Sequence, residues 1–360
     1  MNSRLLLALP LAAALACGGE KKASGADSSG ANASSTSSGA DLTGAGATFP
    51  YPIYSKWFGD YATTSGVKIN YQSIGSGGGI RQLTEGTVDF GASDAPMTDA
   101  ELATAKGPIL HFPTVLGAVA ITYNLAGITQ PLKLNGDAIA EMFAGRITKW
   151  SDSRIASLNP GVKLPAKDVL VVHRSDGSGT TYIFSDYLSA VNTAWASAPG
   201  KGKDLSWPVG IGAKGNEGVA GQVKQTEGAI GYTELAYAKQ NHLATAAIAN
   251  QAGEYVEPSI ESATAAAAGI SAKLPANTDF RISIVNAPGK GAYPISSFTW
   301  LLIPKSIPSA KKHKQITDFL RWYLTKGEAS AASLDYAPLP QQLIATLTAR
   351  VDSISAGTKP

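Results

Sequence analysis

The segment Val169–Val191, VLVVHRSDGSGTTYIFSDYLSAV, decides how the 360-residue chain is read. Val169 to His173 is a short apolar, β-branched run, and Ile183, Phe184, Tyr187, Leu188 and Val191 recur at helical spacing. Between the predicted strand and helix lies DGSGT, in which Gly177 and Gly179 let the backbone approach a ligand and Ser178 and Thr180 offer hydroxyls at a helix start. The amides of such a terminus lack acceptors within the helix and attract anions. Arg174, at the end of the strand, adds a planar fork of donors suited to a phosphate-like oxyanion. One loop of this kind serves equally well as a tight turn with an ordinary cap.

Two further loops repeat the pattern. Thr48 and Phe49 precede a helix predicted from Pro50, and Ser76 with Gly77, Gly78 and Gly79 precedes one predicted from Ile80. Strand, glycine loop, helix is the unit of a parallel sheet. Tyr51, Tyr54, Trp57, Phe58 and Tyr61 follow at helical period and read as core. Val88 to Ala92 is a strand that delivers Asp94 at its carboxyl end, and Thr98 with Glu101 forms a capping box. Pro113–Asn124 and Tyr293–Ile303 are long apolar runs that read as strands crossing between two lobes. Shorter strands are expected at Trp207–Gly212, Ala229–Tyr232 and Phe280–Asn286. The fold class is α/β with two lobes, the first built from both ends of the chain, 42–115 plus 294–360, and the second from 116–293. The ligand crevice belongs at the carboxyl ends of the strands.

Composition sets outer limits. With 44% hydrophobic and 16% charged residues the chain buries a large core, and a net charge of +3 without a long basic run excludes a nucleic-acid surface. Residues 1–16 carry Arg4 and then an apolar run of about a dozen residues, too short to span a bilayer and typical of a secretory signal. Cys17, the only cysteine, follows Ala14, Leu15 and Ala16, where a bacterial lipoprotein is cut and lipidated; ordinary cleavage at the same bond uses the same small residues. Gly18 to Asp41 is Gly-, Ser- and Ala-rich and reads as a disordered tether with a reach of roughly 25–30 Å.

Catalytic chemistry is poorly provided. His111, His173, His242 and His313 are scattered without metal-ligand spacing, and no HExxH, CxxC or nucleotide-loop lysine occurs. Asp176 stands where a nucleophile elbow requires glycine, and His173 faces away from its neighbour Arg174 along a strand, which leaves it a packed or solvated residue. No cofactor or metal is expected. Oxyanion binding fits better. Asp176 is placed to hold the Arg174 guanidinium, or is simply a turn residue. Asp94 beside a dianion is repelled unless the anion brings a proton, which phosphate does near neutral pH and sulfate does not; an acceptor left without its donor discriminates by roughly 10⁴.

Taken together, GAGATFP (Gly44–Pro50), IGSGGG (Ile74–Gly79), VDFGASDAP (Val88–Pro96), FAGRITKW (Phe143–Trp150), DGSGTT (Asp176–Thr181) and GAIGY (Gly228–Tyr232) closely resemble the phosphate-binding proteins of bacterial phosphate-specific ABC transporters. The resemblance covers nearly all of the chain from Leu42 onward. It implies a two-lobed periplasmic-binding-protein fold of type II that closes on one phosphate outside the cytoplasmic membrane and passes it to an ABC permease with a cytoplasmic ATPase. Carried over position by position, it puts Thr48, Phe49, Ser76 and Asp94 of one lobe and Arg174, Ser178, Gly179 and Thr180 of the other at the ligand, with Asp176 behind the arginine. Gly77 departs from relatives that have a second serine, and His173 from those with a basic neighbour to the arginine. The expected protein is an exported, monomeric lipoprotein anchored through Cys17, periplasmic or on the cell surface, and not an enzyme. A receptor for sulfate or molybdate and a secreted phosphatase are the alternatives.

Overall fold

The computed structural model describes residues 39–271 and 279–357; the signal segment, Cys17 and the tether up to residue 38 lie outside the described residues. In chain order the central sheet uses β1 (Leu42–Gly46), β2 (Ile69–Ser73), β3 (Phe90–Ser93), β4 (Ile109–Tyr123), β5 (Leu170–Arg174), β6 (Ile211–Ala213), β7 (Ala229–Glu234) and β8 (Ser296–Pro304). Their spatial order is β2-β1-β3-β8-β4-β7-β5-β6, with the short Ala244–Thr245 strand also paired to β4. Strands β2, β1 and β3 are mutually parallel at one end, and β7, β5 and β6 at the other. Between these sets run β4 and β8, antiparallel to each other over a register from Ser296↔Ala118 to Pro304↔Ile109. Two α/β lobes joined by two long strands follow directly, with every residue of β4 from His111 to Tyr123 buried.

Helices alternate with the parallel strands. Those that bear on the site are α1 (Tyr51–Ser65), α2 (Ser76–Glu85), α3 (Asp99–Thr104), α4 (Gly179–Val191), α5 (Gly215–Gln225) and α6 (Ala310–Thr325). The aromatic face of α1 packs on α6: Trp57 stacks on Tyr323 with ring centroids 5.4 Å apart, and Phe58 and Tyr61 meet Phe319. Full burial of such a ring stabilises by about 1.5–3 kcal/mol. Tyr51, read as part of this face, is instead 41% exposed at the first turn. Thr98 and Glu101 form both halves of the capping box at α3.

Three expectations change. Phe280–Asn286 is irregular, since Phe280 and Asn286 have φ of 62° and 50°, outside the strand region, and Arg281 turns back to Asp279 instead of pairing with a neighbour. Trp207–Gly212 contributes only its end to β6, because Trp207 is drawn into an aromatic stack with His173. Asp41, read as the last tether residue, is tied into the body through the Lys68 backbone amide and an ion pair with Lys311.

Candidate functional site

Every stretch singled out in the sequence lies at the carboxyl end of a parallel strand, although residues 76–79, read as a loop ahead of a helix from Ile80, already form the first turn of α2. Strand β1 leads through Thr48 to α1, β2 leads to α2, β3 ends at Asp94, and β5 ends at Arg174 ahead of α4. Side chains of Thr48, Phe49, Ser76, Asp94, Arg174, Ser178 and Thr180 are all at most 3% exposed. The two sets meet face to face. A Cβ placed on Gly179 would lie 2.5 Å from Ser76 Oγ and 2.6 Å from Asp94 Oδ2, so only glycine allows the start of α4 to reach the opposite lobe. The Gly77 amide donates to the Gly177 carbonyl at 2.9 Å, main chain to main chain across the cleft.

On the second lobe, Ser178 caps α4 by accepting from the Thr181 amide at 2.9 Å. Helix geometry leaves the Gly179 and Thr180 amides without an acceptor inside α4, which makes this end a seat for negative charge. Arg174 grips Asp176 in a two-pronged pair, with Nε to Oδ1 at 2.7 Å and Nη2 on Oδ2, and its Nη1 reaches Thr180 Oγ1 at 3.4 Å. Burial raises the Asp176 carboxyl, but the bonds and charge of Arg174 and the Gly215 amide outweigh it and hold the group below its ordinary range. Asp176 thus lies against the guanidinium and also accepts the Gly215 amide at 3.0 Å.

On the first lobe, Asp94 receives the Thr299 hydroxyl on Oδ1 at 2.8 Å, and its own amide donates to Ser76 Oγ at 3.1 Å. Burial pushes its carboxyl up to about 7, against the Thr299 hydrogen bond and the attraction of Arg174. Tyr237 donates to the Thr48 carbonyl and Tyr336 to the Phe49 carbonyl, each at 2.6 Å. Because the peptide is planar and trans, fixing the Thr48 carbonyl also fixes the opposite direction of the Phe49 amide.

His173 takes no part. It stacks on Trp207 at 4.7 Å, and Nδ1 bonds to the Arg174 carbonyl. Gly77 has little room for a serine, since an added Cβ would sit 3.2 Å from Gly177 Cα.

Sequence reasoning missed Asn216. It is fully buried at the start of α5, and its side chain contacts both Thr48 and Thr180. The signal was present: Ile211–Val219, IGAKGNEGV, is a fourth strand, glycine loop and helix. A cavity of about 490 Å³ runs outward from Asp94 past Met97, Tyr182 and Trp300. At the edge of the cleft Lys203 pairs with Glu101 at 2.6 Å and Arg281 with Asp99 at 2.6 Å.

The chain matches the PBP superfamily domain over residues 31–326. It is 46% identical over 305 residues to the phosphate-binding protein PstS of Xylella fastidiosa (strain Temecula1 / ATCC 700964), covering 84% of this chain and 83% of that one. Against the phosphate-binding protein PstS of Pasteurella multocida (strain Pm70) it is 46% identical over 306 residues, covering 85% and 88% respectively. Among solved structures, a high-affinity periplasmic phosphate-binding protein, PfluDING, bound with phosphate, superposes with a TM-score of 0.70 at 22% identity, covering 86% of this chain and 93% of that one. At that identity the last likeness speaks for the fold.

Proposed function

The chain belongs to the family of the phosphate-binding proteins PstS, and we propose that it captures inorganic phosphate outside the cytoplasmic membrane and delivers it to an ABC permease for import. The observation that carries this reading is the meeting of Gly179 with Ser76 and Asp94, with Arg174 behind Thr180: helix-start amides, hydroxyls and one guanidinium on one side, a single proton acceptor on the other. In this reading Thr48, Phe49, Ser76, Asp94, Arg174, Ser178, Gly179 and Thr180 contact the ion, and Asp176 holds the arginine. Donors aimed at one point bind a tetrahedral anion, and Asp94 accepts the hydrogen that phosphate retains. A sulfate or molybdate receptor would leave that buried acceptor without its donor, a loss of about 1–3 kcal/mol or more.

The lobes are assigned to residues 42–115 plus 294–360 and 116–293, so that β4 and β8 are the hinge. Residues 1–16 are assigned to a signal peptide and 17–41 to a lipidated Cys17 with its tether, which leaves a monomeric receptor on the membrane surface. Its role is binding and hand-over, without turnover of the ligand.

Calorimetric titration of the exported protein with phosphate, sulfate and arsenate tests the assignment. Phosphate should bind, arsenate should compete because it also carries a proton, and sulfate should not. Equal heats and affinities for sulfate and phosphate would refute it. Retention of a Cys17→Ser variant in the membrane fraction would refute the anchor.

A further inference from the structure

The two threonines that face each other across the cleft share one neighbour that the foregoing assignment does not use. Asn216 donates from Nδ2 to Thr48 Oγ1 at 2.8 Å and to Thr180 Oγ1 at 3.0 Å, and its backbone amide also donates to Thr48 Oγ1 at 3.2 Å. Its Oδ1 accepts the Glu234 amide at 2.9 Å, which fixes which end of the side chain faces the threonines. A hydroxyl oxygen has two lone pairs and one proton. Both lone pairs of Thr48 Oγ1 are taken by Asn216. Those of Thr180 Oγ1 are taken by Asn216 Nδ2 and Arg174 Nη1. Each oxygen can therefore do only one more thing, which is to donate.

We propose that Asn216 is a positioning residue of the phosphate cage, which saturates the acceptor capacity of Thr48 and Thr180 and so obliges both hydroxyls to turn their protons toward the anion. The proposal rests on the phosphate-binding reading. Without the amide, each hydroxyl is free to rotate and present a lone pair to the ligand, and the ion must then pay for its reorientation. With it, the donor array is set before the ion arrives at its final position. Because Thr48 stands on the first lobe and Asn216 and Thr180 on the second, this setting is completed only as the lobes come together. Closure and anion recognition are thereby coupled through one side chain.

A mutant cycle read by phosphate titration of the whole exported protein tests this. Asn216→Ala should weaken phosphate binding by roughly 10- to 100-fold. In a background carrying Thr48→Val and Thr180→Val the same change should cost less than about twofold, because the hydroxyls through which it acts are gone. Asn216→Asp, nearly isosteric, places a carboxylate oxygen where Nδ2 stood, which accepts from the two hydroxyls and draws their protons away from the ligand, so it should bind more weakly than Asn216→Ala. An undiminished loss in the double-valine background, or parental affinity in Asn216→Asp, would overturn the proposal. Thermal unfolding without phosphate accompanies each titration. If both Asn216 variants fail to fold while the double-valine protein folds, Asn216 is holding the lobe and not the hydroxyls, and the proposal falls. Failure of the parent protein itself to bind phosphate would overturn the underlying reading, whereas a parent that binds with purely additive variants overturns this inference alone.

Discussion

Each wall of the cleft sets a carboxylate beside the helix starts, Asp94 on one and Asp176 on the other, and their surroundings push them in opposite directions. Asp176 on the second lobe is locked to Arg174 and to the Gly215 amide, and stays below the ordinary carboxylate range. Asp94 on the first lobe has a hydroxyl, a nearby guanidinium that is already committed to Asp176, and almost no solvent, and burial lifts it to about 7. The second wall thus cancels its own charge and offers an anion chiefly oriented dipoles. The first keeps a carboxyl that burial holds well above the ordinary range. On the proposed reading, attraction and discrimination are divided between the lobes.

The largest test of that division removes Arg174. Arg174→Ala leaves Asp176 buried without its partner, and affinity for phosphate and sulfate alike should fall by roughly 10²- to 10³-fold in calorimetric titration. If phosphate alone suffered, the second wall would be reading identity as well as charge. Asp94→Asn comes next and should act on the ratio: discrimination against sulfate should drop by roughly 10²-fold in a competition titration, with a smaller loss in phosphate affinity. The same variant sharpens the electrostatic contrast without ligand. Asp94 goes from 3.8 to about 7 on folding, so the folded chain holds the extra proton, and stability falls as pH rises from about 4 through 7. The full difference is about 4 kcal/mol. Denaturant titrations across that range should show a steeper loss for the parent than for Asp94→Asn; parallel curves would mean that the carboxyl stays hydrated. The smallest effect belongs to the cleft edge, where Glu101→Gln weakens the partly buried pair with Lys203. Phosphate release measured by stopped flow should quicken less than tenfold, in line with about 1 kcal/mol for such pairs.

Much of this arrangement can be read locally. Val169–Val191 contains its strand, its cap and the Arg174–Asp176 pair within a few residues, so chain proximity alone brings the partners together. The crossing strands are legible because burial on all sides demands unbroken apolar runs, as in β4. Asn216 is not legible as a site residue because its meaning lies in partners at positions 48, 180 and 234, in three stretches far apart along the chain. Phe280–Asn286 misleads for the converse reason. Its alternating Phe280, Ile282 and Ile284 fit a strand, yet the amides of Arg281, Ile282 and Val285 are taken up locally, by Asp279, the Phe280 carbonyl and the Ser283 hydroxyl.

The contact between Gly77 and Gly177 has a consequence for how such a receptor can diverge. Its hydrogen bond runs from amide to carbonyl, and an added methyl at either position would stand 3.1–3.2 Å from the other Cα. No exchange of side chains elsewhere can rewrite that bond. Residues around the rim can change without touching it, because the bond is made by main chain alone.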